Sequence, residues 1–84
     1  MVRAMSSIGT RIKTRRAELQ LTQQQLAERV SQGRGGAITH QADISCWESG
    51  RSTPATPVIA PLAAALEVSA DWLLTGRDDE GEAA

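Results

Sequence analysis

One imidazole, His40, and one thiol, Cys46, stand six residues apart, and they are the chain's only histidine and cysteine. A zinc site draws on more ligands than this pair supplies, and a nucleophilic dyad needs a third group to orient its base. Neither requirement is met, so the expectation is no catalysis, no metal and no cofactor. A single cysteine makes no intramolecular disulfide, and Cys46 reads as a buried thiol. Gly33, Gly35 and Gly36 around Arg34 would cradle a phosphate only with a strand before them and a long helix after. Neither pattern is present, and the segment reads as a flexible loop.

Recognition chemistry is what is left, and the charges divide in a way that suits it. Residues 1 to 34 carry Arg3, Arg11, Lys13, Arg15, Arg16, Arg29 and Arg34 against Glu18 and Glu28, a local charge of +5. Residues 35 to 84 carry Arg51 and Arg77 against eight acids, a local charge of −6 within a net charge of −1. Exposed charges are screened beyond about 8 Å, so the local balance matters more than the net one. A basic front and an acidic tail are compatible with DNA on one face, although solvated surface charge also produces such runs.

Eighty-four residues make one domain, and a chain rich in Ala, Leu, Ile and Val without Phe or Tyr favours short, closely packed helices. An all-α fold is expected. The sequence shows no apolar stretch of membrane length and no signal-peptide layout, so it reads as cytoplasmic. Residues 1 to 7 lack periodicity and read as a flexible arm. Ile8, Ile12 and Leu19 then recur at near-helical spacing and predict a first helix over roughly 7 to 19. Thr22 with Gln25 is a capping-box pattern that opens a second helix over Gln23 to Ser31, with Leu26, Ala27 and Val30 inside.

After the glycine loop, Thr39 is able to cap a third helix with Ile44 and Trp47 on its inner face and Gly50 at its end. Pro57 suits the first position of a fourth helix. Pro61 would break an internal hydrogen bond there, so either the first turn is irregular or the helix starts near Pro61. Its inner side is Val58, Ile59, Leu62, Leu66 and Val68. Ser69 caps a last helix, Ala70 to Thr75, with Asp71 near its start and Gly76 at its end. The tail, residues 77 to 84, is acidic and reads as disordered.

Four segments in order, IGTRIKTRR at 8 to 16, LTQQQLAERV at 21 to 30, ISCWESGRSTP at 44 to 54 and LAAALEVSADWLLTG at 62 to 76, resemble the lambda-repressor-like, or XRE-type, helix-turn-helix family. The resemblance implies a five-helix DNA-binding domain over 8 to 76, with the helix-turn-helix formed by the second and third helices. The chain departs from the family pattern at SQGRGGAITHQAD, about seven residues longer than the usual turn, an insertion that costs little loop entropy. It is either a wing that brings Arg34 to a phosphate or a loop tolerated at the surface, and we favour the second.

In such a fold the N-terminal part of the third helix enters the major groove, whose edges distinguish all four base pairs. The resemblance therefore points to His40, Gln41, Ala42, Ser45 and Cys46 as base readers. Gln41 suits adenine, Ala42 a thymine methyl, and Ser45 a base or phosphate. Two registers stay open, with Thr39 or His40 as the cap. Arg11, Lys13, Arg15, Gln23, Thr39 and Arg51 are candidate phosphate contacts, Gln23 also buttressing the first reader. The resemblance pairs Arg16 with Glu48 as a structural brace. Asp43 suits the start of the third helix, and Trp47 and Trp72 suit packing.

The function implied is a sequence-specific regulator of transcription, a bacterial or phage repressor. Its homodimer would place two recognition helices about 34 Å apart on an inverted repeat of double-stranded DNA. Trp72 and Leu74 would supply the dimer interface. Whether the chain stands alone or heads a longer repressor is open. The alternative is an antitoxin that masks a toxin partner, using the arm and the acidic tail.

Overall fold

Helix α1, Ile8–Glu18, begins where the Ser7 hydroxyl accepts from the Thr10 N–H at 3.2 Å. The computed structural model describes residues 7 to 76, so the arm at 1 to 6 and the tail at 77 to 84 lie outside the described residues. Ser7, assigned to the arm from sequence, is thus the cap of the first helix. Helix α2, Gln23–Gly33, opens on the reciprocal cap. Thr22 N donates to Gln25 Oε1 at 2.9 Å and Gln25 N to Thr22 Oγ1 at 3.0 Å.

α2 runs past Ser31 to Gly33. Ser31 Oγ turns back on the Ala27 carbonyl at 2.8 Å, and Gly33 lies where a side chain would come within 3.3 Å of Pro61 Cβ. That glycine is therefore a packing residue, not the first residue of the loop. Helix α3 spans Gln41–Ser49, with His40 as its cap and Gly50 in the left-handed conformation (φ 84°) at its end. Thr39 is not the cap because it points inward. It is 4% exposed, and its Oγ1 accepts from Arg34 NH1 at 2.8 Å.

Helix α4, Thr56–Leu66, contains two of the chain's three prolines, Pro57 in its first turn and Pro61 within. The helix continues through Pro61, although the lost bond and ring clash cost about 3 kcal/mol. Burial of Val58, Leu62, Ala63, Ala65 and Leu66 offsets that loss. Ile59, expected inside, is half-buried. Helix α5, Ala70–Thr75, is capped by Ser69 Oγ, which accepts from Trp72 N at 3.0 Å, and closes at Gly76.

Together the described residues form five helices and no strand. α2 packs between α3 and α4, while α1 crosses α3 and touches α5. Every helix sends at least one fully buried side chain to the centre: Ile12, Leu26 and Val30, Ile44, Leu62 and Leu66, and Leu73. Trp47 is buried with them, and Trp72 packs at the edge. No described helix is long and apolar enough to cross a membrane.

Candidate nucleic-acid interface

Burial of Ile44 and Trp47 fixes the rotation of α3, and the opposite side presents Gln41, Ala42, Ser45 and Ser49 to solvent. Gln41, Ser45 and Ser49 follow one another at four-residue steps and form a stripe along that side. His40 is exposed at the cap, whereas Cys46 is half-buried beside the core-facing side. Ser49 went unnoticed in the sequence; its one signal is the four-residue step from Ser45. Asp43 Oδ2 accepts from His40 N at 2.9 Å, which holds its charge at the positive end of the helix.

A relay of side chains ties this surface to the core. Arg16, from α1, grips Glu48 of α3 through both carboxylate oxygens, Nε to Oε2 at 2.6 Å and NH2 to Oε1 at 3.1 Å, and gives NH1 to the Leu21 carbonyl at 2.8 Å. Glu48 Oε1 also accepts from Gln23 Nε2 at 3.1 Å, and Gln23 Oε1 accepts from Gln41 Nε2 at 3.4 Å. Gln41 keeps its own carbonyl oxygen and a second amide proton for a ligand, the two groups that an adenine edge takes. Hydrogen bonding to Glu48 raises the Arg16 pKa above its ordinary value. Because Glu48 is neutralised by a forked pair, its charge does not repel an anion at this surface.

Lys13, Arg16, Gln23, Ser45, Glu48 and Ser49 line a cleft between α1, α2 and α3. Gln23 opens α2, so the free N–H groups and positive dipole end of that helix lie beside the cleft. Lys13 is exposed there, and Arg51 is exposed just beyond α3.

Two arginines expected near phosphates, Arg11 and Arg15, and one that was not, Arg29, are engaged elsewhere. Arg11 is 8% exposed, donates from Nε to the Leu73 carbonyl at 2.8 Å and from NH2 to the Leu74 carbonyl at 2.9 Å, and so closes the end of α5. Its NH1 has no hydrogen-bond partner among the described residues, and burial lowers its pKa from the ordinary value. Arg15 gives Nε to the Leu66 carbonyl at 2.9 Å and NH1 to Glu18 at 3.0 Å. Arg29 reaches the Ala65 carbonyl at 3.2 Å. These three arginines sit at the negative C-terminal ends of α4 and α5, where a cation is stabilised by unpaired carbonyls. Arg11, Arg15 and the buried Thr39, expected at phosphates, thus each have hydrogen-bond partners within the fold. Arg34, held on Thr39, is not extended as a wing.

A family model described as a helix-turn-helix domain matches residues 9 to 79. The HTH-type transcriptional regulator DicA of Escherichia coli (strain K12) is 35% identical over 74 residues, which cover 88% of this chain and 50% of that protein. The chain thus spans about half the length of that curated relative. The crystal structure of the P22 c2 repressor protein in complex with a synthetic operator matches with a TM-score of 0.74 and 31% identity. The match covers 84% of this chain and 97% of that one.

Proposed function

The chain belongs to the helix-turn-helix domain family, in its lambda-repressor-like form, and on that premise we propose that it reads a specific DNA duplex with α3 as a homodimeric transcriptional repressor. Proteins of this kind are regulators rather than enzymes, and this chain is not an enzyme. The observation that carries the proposal is the exposed Gln41, held from below by Gln23, which is itself fixed by Glu48 and Arg16. A reader amide whose orientation is set before binding loses less entropy on contact with a base.

In this reading Gln41, Ala42 and Ser45 contact base edges, with His40 at the entrance and Cys46 behind them. Lys13, Gln23 and Arg51 hold phosphates. The dimer forms through α5, where Leu74 is exposed and Trp72 half-buried. The two relatives are named as a transcriptional regulator and a repressor, and no feature of the described residues favours the toxin-masking alternative.

Selection of bound duplexes from a random pool, at low and near-physiological salt, tests the proposal. Enrichment of an inverted repeat at both is the expected result, and a folded chain that enriches nothing overturns it. On the enriched duplex, Gln41→Ala is expected to lose about 1–3 kcal/mol while random duplex binding stays unchanged. Equal losses on both would take Gln41 out of base readout.

Salt dependence separates the two classes of cation. Lys13→Ala should flatten the slope of log K against log salt by about 0.9 per protomer. Arg15→Ala should leave that slope as it is and lower the melting temperature instead, because its bonds go to Leu66 and Glu18. A slope that responds to Arg15 and not to Lys13 would reverse the assignment.

A further inference from the structure

Ile38 and Leu74 are the large apolar side chains that the described fold leaves exposed, at 62% and 51%. Leu74 lies on the α5 face assigned above to self-association. Ile38 lies in the inserted loop, two residues before the cap of α3. A lone exposed isoleucine on a surface needs no explanation. This one, however, is held in place.

Its neighbour Thr39 is pinned by two hydrogen bonds, Thr39 N to Ser31 Oγ at 2.8 Å and Arg34 NH1 to Thr39 Oγ1 at 2.8 Å, and its carbonyl lies 3.1 Å from Ser31 Oγ, whose one proton is shared with the Ala27 carbonyl. Arg34 NH1 also approaches the Ile38 carbonyl at 3.4 Å. Residues 37 to 40 are neither helix nor turn, and His40 has extended backbone angles (φ −99°, ψ 160°). Thr39 is turned inward, while Ile38 before it and His40 after it are both exposed. Ile38 is thus an exposed apolar side chain within two residues of the N-terminal cap of α3.

We infer that Ile38 is a further specificity-determining residue, which packs on the C5-methyl of a thymine at the edge of the half-site. The inference rests on the DNA-reading function proposed above. An aliphatic side chain gains nothing from phosphate oxygens, and the thymine methyl is the apolar feature of the major-groove edge. The insertion thus adds a base contact through its apolar residue, while its arginine serves to hold the backbone still.

The test uses the duplex enriched by the unaltered chain, with each thymine replaced in turn by uracil, which removes the methyl alone. One outer replacement is expected to weaken the unaltered chain about fivefold and to leave Ile38→Ala unaffected. Ile38→Ala should lose a similar factor on the thymine duplex while keeping its thermal melt, since the side chain is exposed. Ile38→Ser is expected to match it. The inference is overturned if Ile38→Ala binds the enriched duplex as tightly as the unaltered chain, or if both respond alike to every uracil. It is also overturned if the enriched half-site has no thymine at its edge. If the unaltered chain enriches no sequence, the DNA-reading function itself fails, a result distinct from the others.

Discussion

Arg16→Met is expected to destabilise the fold by about 3–5 kcal/mol, the range seen when one member of a buried ion pair is removed. The pair is forked and shielded, with 17% of the Arg16 side chain and 5% of the Glu48 side chain exposed. An exposed pair would contribute about 1 kcal/mol at most. Removal of the guanidinium leaves a buried carboxylate with Gln23 as its remaining side-chain donor, and it frees the Leu21 carbonyl that closes the turn into α2. The pH behaviour follows from the direction of the Arg16 shift. A base with a raised folded pKa stabilises fully below its unfolded value and loses that contribution only as pH rises through the folded one. So long as Glu48 is ionised, buffers below the ordinary arginine range therefore keep this contribution intact.

Urea unfolding of the unaltered chain, Arg16→Met, and Arg16→Met combined with Glu48→Leu would measure the effect. The double variant should recover part of the loss, because apolar replacement of both partners removes the stranded charge. A loss under about 1 kcal/mol for Arg16→Met would show that the pair behaves as a surface one. At temperatures where Arg16→Met is still folded, specific DNA binding should weaken more than non-specific binding. The readout follows the relay from Glu48 to Gln23 to Gln41.

The features legible in the sequence are those whose cause is local. Thr22 and Gln25 complete a cap within one turn, Ser69 opens α5, and Gly50 and Gly76 close α3 and α5 in the left-handed conformation. The inner faces of α2 and α3 follow from periodicity alone. What sequence reading did not foresee depends on partners far along the chain. Arg11 and Arg15 look like free cations on a basic helix, yet their acceptors are the carbonyls of Leu73 and Leu66. No spacing rule connects α1 to those positions. The register at Thr39 and His40 is also a tertiary matter, decided by Arg34 and Ser31 drawing Thr39 inward. The basic character of residues 1 to 34 therefore says less about DNA than its charge suggests. Of its cations in the described region, Arg11, Arg15 and Arg29 close helix ends, Arg16 braces Glu48, and Arg34 holds a loop. Lys13 is the one left exposed in the cleft.

Gly9→Ala is expected to destabilise the fold by about 3 kcal/mol, although alanine is the better helix former by about 1 kcal/mol. Gly9 is buried in the first turn of α1, where that helix crosses the end of α3. A methyl group there would overlap the Trp47 carbonyl oxygen and lie 3.1 Å from that of Glu48. Overpacking against a flexible side chain is relieved by a change of rotamer, but here the obstacle is backbone, so the helices must move apart. That displacement acts on the helix that carries Glu48, and through it on Gln23 and Gln41. The same substitution should thus weaken sequence-specific binding in whatever fraction of the protein stays folded. Gly35→Ala is the matched control: nothing lies within 4 Å of its added methyl group. Its cost is limited to about 1 kcal/mol for a left-handed backbone angle, φ +64°. Thermal melts of the two variants separate close approach from backbone conformation. A Gly9→Ala protein that melts no lower than Gly35→Ala would mean that α1 and α3 can part without loss, and the crossing would then not be what holds the recognition helix in place.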